Sequence, residues 1–151
     1  MGKILLLNGP NLNRLGKREP DIYGHETVED IVRMVEKTLS GNNYSLIAKQ
    51  SNHEGQLIDW IHEADDVVDG IIFNPGAYTH TSIALRDAIS SINVPVIEVH
   101  ISNVHAREEF RHHSLLAPVC LGQIVGLGIH GYQLAANYFL EFIEAGREEV
   151  E

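Results

Sequence analysis

Glu98, His100 and Ser102 alternate along the run from Val96 to Ser102. An extended backbone there sends all three side chains to one side. A carboxylate two residues from an imidazole can accept its N–H, fix its tautomer and raise its basicity. The chemistry this suggests is proton transfer, with His100 as a general acid. A Glu in a buried strand is costly without a partner. A purely structural Glu–His pair therefore fits the same pattern, and spacing does not separate the two readings.

A second constellation lies between Gly16 and Gly24, where Arg18 precedes Tyr23 by five residues. A tyrosine works as a base near neutral pH only if its phenolate is favoured by roughly 3–4 kcal/mol. One guanidinium in a dry site supplies part of that and two supply most, with Arg18 and Arg107 as the candidates. The alternative is a loop tyrosine packed as an anchor. Arg14 and Arg18 flank this loop, and Arg107 and Arg111 stand four apart. Together they suit a small anion; each alone also reads as a solvated surface group.

The third cluster, Asn74-Pro75-Gly76-Ala77-Tyr78-Thr79-His80-Thr81-Ser82, reads as a strand-to-helix turn whose N–H groups suit an oxyanion or a held water. It lacks the Gly-x-x-x-x-Gly-Lys-Ser/Thr phosphate loop, and the late glycines 126, 128 and 131 do not make a dinucleotide fingerprint. The nine histidines include no His-Glu-x-x-His and no Cys/His cluster, so no metal is expected.

These clusters share one kind of position. Lys3–Leu7 runs into Asn8-Gly9-Pro10-Asn11; Gly70–Phe73 runs into Asn74; Val94–Val99 runs into His100. Short, nearly continuous apolar runs read as parallel strands buried on both faces. Strands are expected over about 3–8, 44–49, 69–74, 95–100 and 119–121. Helices are expected over about 28–40, opened by Ser51–Glu54 with Leu57, Ile58, Ile61 and Ala64 inward, over about 81–91, around Arg107–Phe110, and from about Tyr132. Thr27 with Asp30, and Ser51 with Glu54, look like capping boxes. The last helix is expected to turn Leu134, Ala135, Tyr138, Phe139 and Phe142 inward. Strict alternation gives a doubly wound α/β sheet, and right-handed crossovers favour the flavodoxin-like order 2-1-3-4-5. That order puts the switch point between strands 1 and 3, where the Asn8–Asn13 and Asn74–His80 clusters end.

The whole chain agrees. Its 151 residues suit a single domain, 1–151, with a lid loop at about 14–25 and an acidic, frayed tail at about 144–151. A hydrophobic fraction of 44% and a mean hydropathy of −0.09 are ordinary for a soluble globular protein. The net charge of −10 argues against a nucleic-acid surface. No apolar run approaches the roughly 20 residues of a membrane span. No secretory leader pattern opens the chain, and one cysteine, Cys120, fits a reducing compartment, so cytoplasm is expected. A flavodoxin-like binding module without catalysis remains the alternative to an enzyme at this point.

Three segments, Asn8–Gly24, Phe73–Ala88 and Val96–Arg111, resemble in order and spacing the motifs of the type II 3-dehydroquinate dehydratases. The resemblance covers roughly residues 3–143. It implies a lyase that converts 3-dehydroquinate, a small cyclic anion, to 3-dehydroshikimate in the shikimate and quinate pathways. It implies no metal, cofactor or Schiff-base lysine, and usually a dodecamer of four trimers. By resemblance Tyr23 is the base at C2, with Arg18 and Arg107 favouring its phenolate. Asn11 would help hold a water on the enolate. His100, oriented by Glu98, would protonate the departing C1 hydroxyl, with Asn74 nearby. Ile101 and Ser102 would bind the carboxylate; His80 and Arg111 would bind ring hydroxyls. Asp87 would reach a neighbouring subunit's site.

Overall fold

The computed structural model describes the backbone of residues 2–150 and side chains to residue 146. Five parallel strands form one sheet: β1 Gly2–Asn8, β2 Tyr44–Gln50, β3 Gly70–Asn74, β4 Val96–His100 and β5 Gly122–Val125. Their order is β2-β1-β3-β4-β5, as the alternation predicts. Five α-helical segments accompany them, α1 to α4 between strands and α5 after β5: α1 Pro20–Tyr23, α2 Val28–Ser40, α3 Glu54–Ala64, α4 Ile83–Ser90 and α5 His130–Val150.

Alternation within the strands splits the core in two. Ile4, Leu6, Ile72, Ile97 and Val99 pack with Ile31, Val35 and Leu39 of α2 and with Tyr132, Ala135 and Phe139 of α5. Leu5, Leu7, Ile71, Phe73 and Val96 pack with Leu57 and Ile61 of α3 and Leu85 and Ala88 of α4. Burying both sheet faces is what makes β1, β3 and β4 read as continuous apolar runs.

Local signals set the helix starts. The Thr27 hydroxyl accepts from the Asp30 N–H at 3.2 Å, and the Asp30 carboxylate accepts from the Thr27 N–H at 2.9 Å, closing the expected capping box. The second expected box does not form. The Ser51 hydroxyl accepts from the His53 N–H, and Glu54 instead accepts from the Ser82 hydroxyl at 2.5 Å. Ser82 in turn caps α4 by accepting from the Leu85 N–H.

Three further expectations are corrected. The fifth strand begins at Gly122, not Val119. Ala117–Val119 form a 3-10 turn, because Pro118 has no N–H for a ladder and Ser114 captures the N–H groups of Leu116 and Ala117. The short helix at Arg107–Phe110 is two 3-10 turns, Val104–Ala106 and Glu109–Arg111. On α5, Ala135 and Phe139 face the core as expected, joined by Tyr132, Ala136 and Leu140. Leu134, Tyr138 and Phe142 stay exposed, because the helix carries two apolar stripes and the sheet covers one. The segment expected to fray is the last part of α5; Glu151 lies outside the described residues.

Candidate active site

The carboxyl ends of β1, β3 and β4 converge. Asn8 and Asn74 stand opposite each other in the β1/β3 register, and Gly9 donates to the Asn74 carbonyl at 2.8 Å. A cavity of about 150 Å³ opens beyond them. Asn11, Arg18, Tyr23, Asn74, His80, His100, Ile101, Ser102, Arg107 and Arg111 all border it. These are ten of the twelve residues singled out from the sequence. Glu98 lies behind His100, fully buried. Asp87 lies exposed on α4 and does not border this cavity.

Tyr23 ends the single turn α1, on a segment bracketed by Gly16 and Gly24 at φ 86° and 81°. That left-handed geometry suits glycine and returns the segment over the cavity. Arg107 Nη1 donates to the Tyr23 hydroxyl at 2.8 Å and to the Ser102 hydroxyl at 3.1 Å. Arg18 Nη2 reaches the same phenol oxygen at 3.1 Å, with its guanidinium 4.3 Å from the ring centre. Two cations therefore converge on one phenol oxygen.

His100 and Glu98 project from the α3/α4 side of β4, and His100 Nε2 lies 2.5 Å from Glu98 Oε2. Glu98 also accepts from the Thr79 hydroxyl and, at 2.9 Å, from the Ser114 hydroxyl. Burial pushes the Glu98 carboxyl up. The hydrogen bond and charge of His100, followed by Thr79 and Ser114, outweigh it and hold the group below the usual carboxylate range. An ionised Glu98 only accepts, so Nε2 carries the proton of that bond and Nδ1 is left for exchange.

Asn74 is held from two sides. Its Oδ1 accepts from the Gly76 N–H at 3.0 Å, and its Nδ2 donates to the Tyr132 hydroxyl at 2.8 Å. The Tyr132 hydroxyl in turn donates to Asn8 Oδ1 at 2.7 Å. Complete burial pushes the Tyr132 phenol up, so it stays a neutral donor. His80 Nδ1 lies 2.9 Å from the His113 carbonyl. Burial depresses its pKa, partly offset by that carbonyl. Its ring is thus neutral near pH 7, with the proton on Nδ1. Asn11 sits at φ 70°, a left-handed conformation that Asn tolerates, and its N–H donates to Asn52 Oδ1 at 2.9 Å.

Sequence reasoning missed Tyr132, read there only as a helix start, and Ser114. Thr79 was quoted in its turn without a task. A buried Glu98 without a Lys or Arg nearby in sequence was the available signal that hydroxyl partners must exist. Among the described residues, no three His, Cys, Asp or Glu side chains group in a way that could hold a metal ion.

Chemically, the cavity offers a phenol oxygen that accepts from two guanidinium groups, an imidazole backed by a carboxylate, and amide and hydroxyl donors between them. That set suits proton removal at one carbon and proton delivery to a neighbouring oxygen.

Known proteins carry the same plan. Residues 2–140 match the family model described as dehydroquinase class II. A 3-dehydroquinate dehydratase of Halalkalibacterium halodurans is 62% identical over 141 residues, covering 93% of this chain and 97% of that protein. The crystal structure of a type II dehydroquinase from Butyrivibrio crossotus superposes with a TM-score of 0.89 at 54% identity, covering 91% of this chain and 97% of that one. That of a type II dehydroquinase from Propionibacterium acnes gives 0.90 at 42%, covering 93% and 97%. With the match spanning all three strand ends that build the cavity, the chain belongs to the class II dehydroquinase family.

Proposed function

We infer that this chain is a lyase that dehydrates 3-dehydroquinate to 3-dehydroshikimate, a step of the shikimate pathway. The single observation that carries the mechanism is that Tyr23 and His100 border one cavity while two guanidinium groups converge on the Tyr23 oxygen.

The Tyr23 phenolate, favoured by Arg18 and Arg107, takes a proton from C2 beside the ketone. The electron pair moves into an enolate, whose oxygen is stabilised by a water held with the help of Asn11. Collapse of the enolate breaks the C1–O bond, and His100 gives its proton to the departing hydroxyl, which leaves as water. Tyr23 ends protonated and His100 neutral, so one proton transfer back through solvent resets the site. Ser102 and the Ile101 backbone bind the substrate carboxylate, Asn74 donates toward the C1 hydroxyl, and His80 and Arg111 hold ring hydroxyls. Every proton and electron pair in this elimination is carried by side chains or water, so the chemistry calls for no cofactor.

The chain acts as one domain, with residues 14–25 as a lid over the bound ring. The exposed stripe of Leu134, Tyr138 and Phe142 supports assembly of copies, as does Asp87, exposed on α4 and assigned to a neighbour's site. The reading is a dodecamer of trimers. A single cysteine, and the lack of any described helix long and apolar enough to cross a membrane, support a cytoplasmic location.

The test is direct. Purified protein mixed with 3-dehydroquinate should form a conjugated enone, seen as rising ultraviolet absorbance; no rise would refute the activity. Light scattering should report a mass near twelve chains, and a monomer would refute the assembly.

A further inference from the structure

His100 and Glu98 rest on a hydroxyl pair drawn from two distant segments. Thr79 belongs to the 3-10 turn Gly76–His80 after β3; Ser114 belongs to the segment between β4 and β5. The direction of their bonds follows from counting protons. The Ser114 hydroxyl accepts two backbone N–H groups, from Leu116 at 3.1 Å and Ala117 at 2.9 Å. With both lone pairs used, its single proton must go outward. Glu98 lies within reach, with Oε1 at 2.9 Å and Oε2 at 3.1 Å. Thr79 lies 2.7 Å from Ser114, which has no lone pair left to accept from it. Thr79 therefore donates to Glu98 Oε2, the oxygen that also receives the His100 N–H.

The carboxylate thus takes three donors while fully buried, and among the described residues no Lys or Arg bonds to it. Such an arrangement fixes the rotation of both oxygens, and through Oε2 it fixes the imidazole plane. It also divides the negative charge. Each hydroxyl that shares it leaves less for the imidazole, so losing one of them tightens the carboxylate's hold on the ring.

We propose that Ser114 and Thr79 are positioning residues of the reaction: as a donor pair on Glu98 they hold the His100 ring toward the cavity and set how tightly Glu98 grips its N–H. This rests on the assignment of His100 as the acid. The segment 112–121 between β4 and β5 is then part of the catalytic apparatus, although Ser114 does not border the substrate cavity. Thr79 can act from the turn because its backbone is separately anchored, its carbonyl accepting the Leu115 N–H at 2.8 Å.

Other groups face this unit. His80 comes from the same turn as Thr79. Arg107 and Arg111 come from the turns after β4. Arg18 and Tyr23 stand across the cavity, and Cys120 faces Glu98 from the approach to β5. Burial pushes the Cys120 thiol up to about 12, with the Glu98 charge adding to it, so the thiol is neutral and does not compete for the imidazole proton. Thr79 adjoins His80, and Ser114 adjoins the His113 carbonyl that His80 bonds, so the variants that keep the hydroxyl are the control that assigns a change in His100 to its loss.

Thr79→Val is nearly isosteric and leaves the capping of the 114–117 turn intact; Ser114→Ala removes both capping and donation. Steady-state kinetics on 3-dehydroquinate should show kcat falling by about 10- to 100-fold in each, with KM changed less than about threefold. ¹⁵N NMR of the His100 imidazole should show its titration displaced upward relative to wild type. Thr79→Ser and Ser114→Thr, which keep the hydroxyl, should restore both readouts. The NMR arm does not depend on turnover, so a protein inactive toward 3-dehydroquinate would overturn the function without touching this result. A Thr79→Val protein with wild-type kcat and an unmoved His100 titration would overturn the inference, whatever its melting temperature.

Discussion

The phenol oxygen of Tyr23 lies 2.8 Å from Nη1 of Arg107, a residue 84 positions later in the chain. The second hydrogen on that same nitrogen goes to Ser102. One guanidinium nitrogen thus ties the segment over the cavity to the turn after β4. Arg18 completes the pairing from Tyr23's own segment, and its side chain is 31% exposed against 13% for Arg107. Charge acts more strongly where water is excluded, so Arg107 should dominate.

Tyr23→Phe removes the proposed base and keeps the ring between its guanidinium neighbours. Turnover of 3-dehydroquinate should fall by about 10²–10⁴-fold, with circular dichroism unchanged. Full activity would end the assignment of Tyr23.

His100→Ala should lower kcat on a similar scale, about 10²–10⁴-fold. If the proposed acid acts on the leaving oxygen, exchange of the C2 proton with solvent deuterium should survive better than net dehydration. Equal loss of both would place His100 elsewhere in the reaction.

Arg107→Lys keeps the charge and loses the fork that serves Tyr23 and Ser102 together. Its kcat/KM should fall by about 10²-fold, and Arg18→Lys should cost less. A larger loss at Arg18, in the same assay, would reverse their ranking.

Glu98 gives the pH dependence of stability. Its folded carboxyl stays ionised to lower pH than the unfolded one. The unfolded chain therefore takes up this proton first, and the stabilisation is complete above about pH 5 and declines as pH falls through the folded value. Urea unfolding from pH 7 down to pH 3 should show that decline. It should be shallower in Glu98→Gln, where the remaining slope includes Asp30, held low by its Thr27 and Arg33 partners. Parallel slopes would show that Glu98 titrates alike in both states.

Tyr132→Phe strands the buried amides of Asn8 and Asn74. Unfolding stability should fall by about 1–3 kcal/mol. An unchanged denaturant midpoint would mean that the two amides find other partners.

Much of this was written locally. The apolar runs 3–8, 69–74 and 95–100 are strands because a sheet covered on both faces needs no polar alternation. The box of Thr27 and Asp30 places the start of α2 to the residue. Crossover handedness orders the strands, and that order delivers Asn11, Asn74 and His100 to one edge. Where two local codes compete, sequence fails. On α5 two apolar stripes run side by side, and only the shape of the sheet selects Tyr132, Ala136 and Leu140 over Leu134, Tyr138 and Phe142.

The chain by itself determined the elements, their order and the residue types at the strand ends, because these follow from periodicity, caps and the handedness of the backbone. Tertiary structure turned the candidate pairing of Arg107 with Tyr23 into a contact, and it alone decided that Tyr132 meets Asn8 and Asn74 and that Ser114 meets Glu98. Such pairs span 16 to 124 positions. A hydrogen bond depends on ångströms of separation, and over that length of chain only the packed sheet fixes them.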